Sequence, residues 1–129
     1  MLDCLRRYIK GWEDDDLDML LGACADDFIY DDPYDGRMTK AEFADYYRRL
    51  PDVDGGFSEE MVQEAGDGAT HWSWWASKPE GAAEWTQEGS ALTKADADGV
   101  HSCKIAYYKG AGSLAQRDRR DPSQQDAAG

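Results

Sequence analysis

At 129 residues, 41% hydrophobic and 12% aromatic with five Trp, the chain has the length and composition of one globular domain. Its 27 acids against 14 Lys and Arg leave a formal charge of −13, which argues against nucleic acid or an anionic membrane as partner. Most of the acids are Asp and Lys is scarcer than Arg, a surface that suits either a salt-adapted cytoplasm or a merely acidic protein.

Leu2, Leu5, Ile9 and Trp12, with Tyr8 beside them, recur at helical spacing and predict a first helix over about residues 2–12. Gly11 and the run Asp14-Asp15-Asp16 mark a break and a new N-terminus, where carboxylates suit the helix dipole. Leu17, Leu20, Leu21 and Cys24 carry a second helix to about Ala25. The stretch Phe28-Ile29-Tyr30-Asp31-Asp32-Pro33 then reads as a strand, with Phe28, Tyr30 and Asp32 on one face and Asp31 outward. A carboxylate on an apolar face is expensive unless it has a partner or a task, which makes Asp32 the lead catalytic candidate. Capping the turn Pro33–Gly36 is its competing structural role.

Thr39-Lys40-Ala41-Glu42 forms a capping box, and Phe43, Tyr46, Tyr47 and Leu50 make the buried stripe of a third helix that Pro51 ends. Beyond a loop at Asp52–Gly56 the period changes. Phe57–Glu64 reads as a strand, Gly66-Asp67-Gly68 as a hairpin turn, and Ala69–Ser77, dense in Trp, as a second strand. After a turn at Pro79-Glu80-Gly81, long strands are expected over Ala82–Thr93 and Val100–Lys109, joined by a loop at Ala95–Gly99. Residues 112–129, almost without apolar side chains, read as a disordered tail, which leaves a single domain over 1–111. The order is α+β, helices first and then an antiparallel meander.

Cys4, Cys24 and Cys103 are odd in number and widely spaced, so reduced thiols in a cytoplasmic protein are expected. No signal-peptide core and no apolar run of about 18 residues occur. Two distant His and scattered acids give no metal-ligand spacing, and no glycine-rich phosphate loop or nucleophile elbow is present. No metal and no cofactor are expected.

The order of elements, with W-E-D-D-D-L-D-M-L-L-G-A-C-A-D-D-F-I-Y-D-D-P in the first third, resembles the nuclear transport factor 2-like superfamily. Its members include the ketosteroid isomerases and the SnoaL-like, polyketide-cyclase-like proteins. The likeness to an isomerase pattern is closest over residues 5–33, through Arg7-Tyr8-Ile9, Asp16-Leu17-Asp18, Ala25-Asp26-Asp27 and Asp31-Asp32-Pro33. It implies a cone-shaped α+β barrel of curved, mostly antiparallel sheet wrapped around three N-terminal helices, acting without a cofactor and usually dimeric through the outer sheet face.

By that resemblance the catalytic base falls on Asp32, the oxyanion-stabilising tyrosine on Tyr8, and a tyrosine hydrogen-bonded to it on Tyr47. A third tyrosine of some isomerases falls on Cys24. Their second, protonated acid falls on Ala91, with Glu88 the nearest acid in sequence. Matching Gly68-Ala69 to the family hairpin puts Thr70, Trp72, Trp74 and Ala76 toward the pocket and His71, Ser73 and Trp75 on the outer, dimerising face. Lys104 and Tyr108 fall on the pocket side of the last strand, where Lys104 either meets an anionic group or lies at the rim with its head in water. Trp12, Tyr30, Tyr46, Trp72, Trp74 and Tyr108 are then the expected pocket lining.

Chemically, a carboxylate in an apolar pocket gains basicity, and a phenol across from it can donate to an oxygen that becomes negative. The expected function is cofactor-independent lyase, isomerase or cyclase chemistry by proton transfer on a small apolar carbonyl compound. A ligand-binding domain without chemistry is the alternative, and hydrolysis by a carboxylate-activated water a third reading.

Overall fold

The computed structural model describes residues 1–50, 57–79 and 81–109. The loop at 51–56 and the expected tail lie outside the described residues. Helix α1 (Asp3–Glu13) buries Leu5, Tyr8 and Ile9, and its start is tied to the hairpin turn at residues 66–68 by the Leu2 amide donating to the Gly68 carbonyl at 2.8 Å. Gly11 does not break this helix: a Cβ there would lie 2.8 Å from Leu20 Cγ, so the glycine lets α1 and the next helix approach. Helix α2 (Leu17–Ala23) is capped by Asp16, whose carboxylate accepts from the Met19 amide at 3.0 Å.

The expected second helix runs two residues too far, because strand β1 (Cys24–Asp32) begins where Cys24 pairs with Val100. An irregularity follows that pair, with Asp26 and Asp27 exposed, before regular pairing resumes at Ile29. The turn after Pro33 leads into a short strand absent from the sequence reading, β2 (Gly36–Thr39), whose Met38 is buried. Thr39 then caps α3 (Lys40–Arg48) with both halves of the capping box formed.

Strands β3 (Phe57–Gly66), β4 (Thr70–Pro79), β5 (Gln87–Asp96) and β6 (Gly99–Lys109) form the antiparallel meander. Asp67 closes the first hairpin, accepting from the Ala69 and Thr70 amides. The loop expected at Ala95–Gly99 is tighter than read: β5 continues to Asp96, and Gly99 turns at φ +134°. The six strands run β2-β1-β6-β5-β4-β3, with β1 parallel to β6 and every other pair antiparallel. The sheet is open, with β2 and β3 at its edges, and the helices cover its inner face. This is the expected α+β cone.

The core holds Leu5, Tyr8, Leu20, Phe28, Tyr30, Phe43, Tyr46, Trp75, Ala91, Val100 and Cys103. It fixes which face of each strand is inner, and here the expectation is corrected. His71, Ser73, Trp75 and Ser77 of β4 are buried at 1%, 0%, 7% and 1% exposure, so they face the interior. Trp72 and Trp74 lie half-buried on the outer face, edge to face with each other at 4.8 Å. On β6 the inner residues are Cys103, Ile105 and Tyr107; Lys104 is exposed and Tyr108 is 59% exposed. A strand has period two, so a one-residue error in matching the hairpin turns every side chain over.

Candidate functional site

Asp32 ends β1 and is 1% exposed. One carboxylate oxygen accepts from the backbone amides of Tyr34 at 2.8 Å and Asp35 at 2.9 Å, which caps the turn into β2. The other accepts from the Tyr107 hydroxyl at 2.6 Å, a short charge-assisted bond. Asp32 therefore has both the structural role and an inward-facing oxygen. Among the described residues no Lys or Arg forms an ion pair with it.

Tyr107 is the residue that the sequence reading missed. Its ring meets Trp75 edge-on at 5.3 Å and Tyr34 at 5.4 Å, which holds the hydroxyl over Asp32. Beside it Tyr46 donates to Asp35 at 2.7 Å. Burial first, then that bond, then the nearby charge of Asp32 hold the Tyr46 phenol far above its ordinary range. Two phenol–carboxylate pairs thus flank a single turn.

Tyr8 is 2% exposed, with its ring 5.9 Å from Phe28. Burial raises its pKa well above the phenol value, and the neighbouring Cys103 and Cys24 add to the shift. Its hydroxyl makes no hydrogen bond of normal geometry, so the expected bond from Tyr47 is not formed. Tyr47 instead donates to Asp15, and its ring packs 5.3 Å from Trp12. Trp12 also contacts Tyr30 and Phe43, at 6.2 and 5.9 Å. Tyr30 lies between the two halves of the site. Burial raises its pKa most, and Tyr46, Cys103, Tyr107 and Tyr8 all add to the shift. The phenols of Tyr8, Tyr30 and Tyr46 therefore remain protonated throughout the physiological range.

The structure therefore brings Asp32, Tyr30, Tyr46, Tyr8 and Trp12 to the inner side, with Tyr107 added. Trp72, Trp74, Glu88, Lys104 and Tyr108 lie on the outer face, because Glu88 alternates with the inward Gln87 and Gly89. There Tyr108 stacks 4.7 Å from Trp74 and reaches Ser90 at 3.3 Å. Ala91 is buried on the inner side. Among the described residues no three His, Cys, Asp or Glu side chains group as metal ligands would. Nor is any described helix long and apolar enough to cross a membrane. The arrangement offers a fixed carboxylate oxygen and several neutral hydroxyl donors in an apolar interior, the components of proton transfer next to a developing oxyanion.

Solved structures of the same fold include a provisionally assigned ketosteroid isomerase of Kribbella flavida DSM 17836, at TM-score 0.68 and 14% identity over 85% of this chain and 78% of that one. A SnoaL-like protein of unknown function from Burkholderia thailandensis E264 aligns at TM-score 0.64 and 18% identity, over 81% and 91% of the two chains. A provisionally assigned polyketide cyclase of Xanthomonas campestris pv. campestris aligns at 0.58 and 18%, over 81% and 87%. At such identities the likeness is one of fold. No curated protein sequence matches the chain. The SnoaL-like domain family matches residues 5–106, which include both Asp32 and Tyr8, and the chain belongs to that family.

Proposed function

We propose that the protein is a cofactor-independent lyase, isomerase or cyclase that moves a proton α to the carbonyl of a small apolar substrate. Asp32 is the base. Tyr8, whose buried hydroxyl makes no hydrogen bond of normal geometry, donates to the oxygen on which charge develops. Tyr30, Tyr46 and Trp12 line the reacting end, and Tyr107 holds the Asp32 oxygen in place. One observation carries the reading: a carboxylate 1% exposed, with no cationic partner among the described residues, whose inner oxygen is held only by a phenol. The other oxygen already accepts both turn amides, so the cap does not need the inner oxygen, which is left to take up a proton.

The reaction runs as a proton transfer: the Cα–H bond breaks, its proton passes to Asp32, and the carbonyl oxygen takes up the electron pair under the Tyr8 hydroxyl. Return of the proton to another carbon, or loss of a β-leaving group, completes isomerisation or elimination. α-Deuteration of a panel of aromatic ketones in D2O, followed by NMR, tests this directly. Asp32→Asn is expected to lower the rate by about 100-fold or more. A panel bound without exchange would favour the ligand-binding alternative.

The outer face supports a second proposal, a homodimer through Trp72, Trp74 and Tyr108. Three large aromatics on a sheet face, one of them 59% exposed, form the kind of patch that interfaces use. Trp74→Arg is expected to give monomers in sedimentation velocity. A wild-type protein that is monomeric at tens of micromolar removes this proposal.

A further inference from the structure

Two more buried donors in the interior lack a partner among the described residues: the Ser73 hydroxyl and the Trp75 indole N–H. They sit two residues apart on the inner face of β4, at 0% and 7% exposure. Leaving a buried donor unpaired is unfavourable, and two neighbours with the same defect point to an absent acceptor.

Their place in the sheet says where that acceptor lies. Ser73 pairs with Ala91, and Ala91 with Ile105. One residue past the Asp31–Lys104 pair, Asp32 comes abreast of Ile105. A single row thus crosses the inner face from Asp32 through Ile105 and Ala91 to Ser73. It spans three strand spacings, about 14 Å before curvature. The next row is Tyr107, Gly89 and Trp75. A Cβ on Gly89 would lie 2.6 Å from the Trp75 ring, so only glycine lets the indole lie flat against β5, beside the Tyr107 ring that guards Asp32. The floor between the two ends is Ile105 and the small Ala91.

We infer that Ser73 and Trp75 form a distal subsite that binds a neutral acceptor oxygen, carbonyl, ether or hydroxyl, of a flat ligand whose reacting carbonyl lies at Asp32. The inference deepens the proposed function and rests on that reading for the placement of the reacting end. Both donors are neutral, so the subsite selects a dipole rather than an anion. It accounts for a site that has Ala91 on its floor and still presents hydroxyl and indole donors one strand farther out.

Calorimetric titration of the full chain with 1-tetralone and with 6-methoxy-1-tetralone tests this, since the methoxy oxygen only accepts. The wild type is expected to bind the methoxy compound about three- to tenfold more tightly, the effect of one net hydrogen bond. Ser73→Ala, a small change, is expected to remove most of that preference without lowering the melting temperature of the free protein, because its hydroxyl has no partner to lose. Trp75→Phe is expected to reduce the preference as well. Equal affinity for the two ketones, affinity for neither, or a preference untouched by both substitutions overturns the subsite. Preference in the wild type without α-deuteration would uphold the subsite and sink Asp32 as the base. Exchange without preference would do the reverse.

Discussion

Tyr107→Phe, compared with Tyr108→Phe, isolates the contact on which the site depends. The two positions are adjacent and the chemical change is the same, a lost hydroxyl. At 107 that hydroxyl donates to a buried carboxylate at 2.6 Å; at 108 it reaches Ser90 at 3.3 Å from a ring 59% exposed. A hydrogen bond to a charged acceptor contributes about 1.5–3 kcal/mol, and its loss leaves the Asp32 oxygen buried with one donor fewer. An exposed hydroxyl contributes within about 0.5 kcal/mol. For a domain of this size each kcal/mol moves the melting temperature by about 4 °C, so Tyr107→Phe should lower it by roughly 6–12 °C and Tyr108→Phe by about 2 °C or less. Thermal unfolding followed by circular dichroism reads both. Equal shifts, or a larger loss at 108, would refute the assignment of inner and outer faces on β6.

Two further perturbations probe the surface. His101 bridges Asp27 at 2.5 Å and Asp96 at 2.7 Å; Asp96 and Asp27 raise its pKa, and its own hydrogen bond lowers that of Asp96. A raised histidine pKa stabilises the fold fully below the unfolded value near 6.5 and ceases to do so as pH rises through the folded value. Asp96 works in the opposite sense, its contribution present above the unfolded carboxylate value and lost as pH falls through the folded one. Wild type should therefore exceed His101→Gln in melting temperature in mildly acidic buffer and match it in alkaline buffer. The exposure of the cluster keeps the difference small, and a gap that widens with pH would contradict the bridge. If the charge of −13 is a salt adaptation, molar KCl should raise the melting temperature by several degrees; a flat response argues for a merely acidic protein.

The helices, the capping box at Thr39 and the meander were legible because each rests on local chemistry: a 3.6-residue stripe, a reciprocal cap, turn residues between β-rich runs. Asp32 was legible for the same reason, as a carboxylate in phase with Phe28 and Tyr30. Strand faces were harder. In β4, Trp72 and Trp74 alternate with His71, Ser73 and Trp75, so the more hydrophobic face is the wrong guess for the interior. The decision rests on Gly89 across the strand pair, where a Cβ would meet both the Ala106 carbonyl and the Trp75 ring. In β6 the local pattern did hold a usable signal, because Cys103, Ile105 and Tyr107 alternate against Ser102, Lys104 and Ala106. Following it would have found Tyr107 and set Lys104 in water. Register imported from the family hairpin obscured it. The Tyr47–Asp15 bond was not legible, since it depends on the close approach of α1, α2 and α3.

In the proposed function Asp32 transfers a proton within an apolar interior. The most direct measurement is the rate of α-deuteration of an aromatic ketone in D2O by the full chain and by Asp32→Asn, with folding checked by circular dichroism. Exchange above the buffer rate is expected for the wild type, with a loss of about 100-fold or more in the folded variant. A folded Asp32→Asn protein that exchanges as fast as the wild type would contradict it.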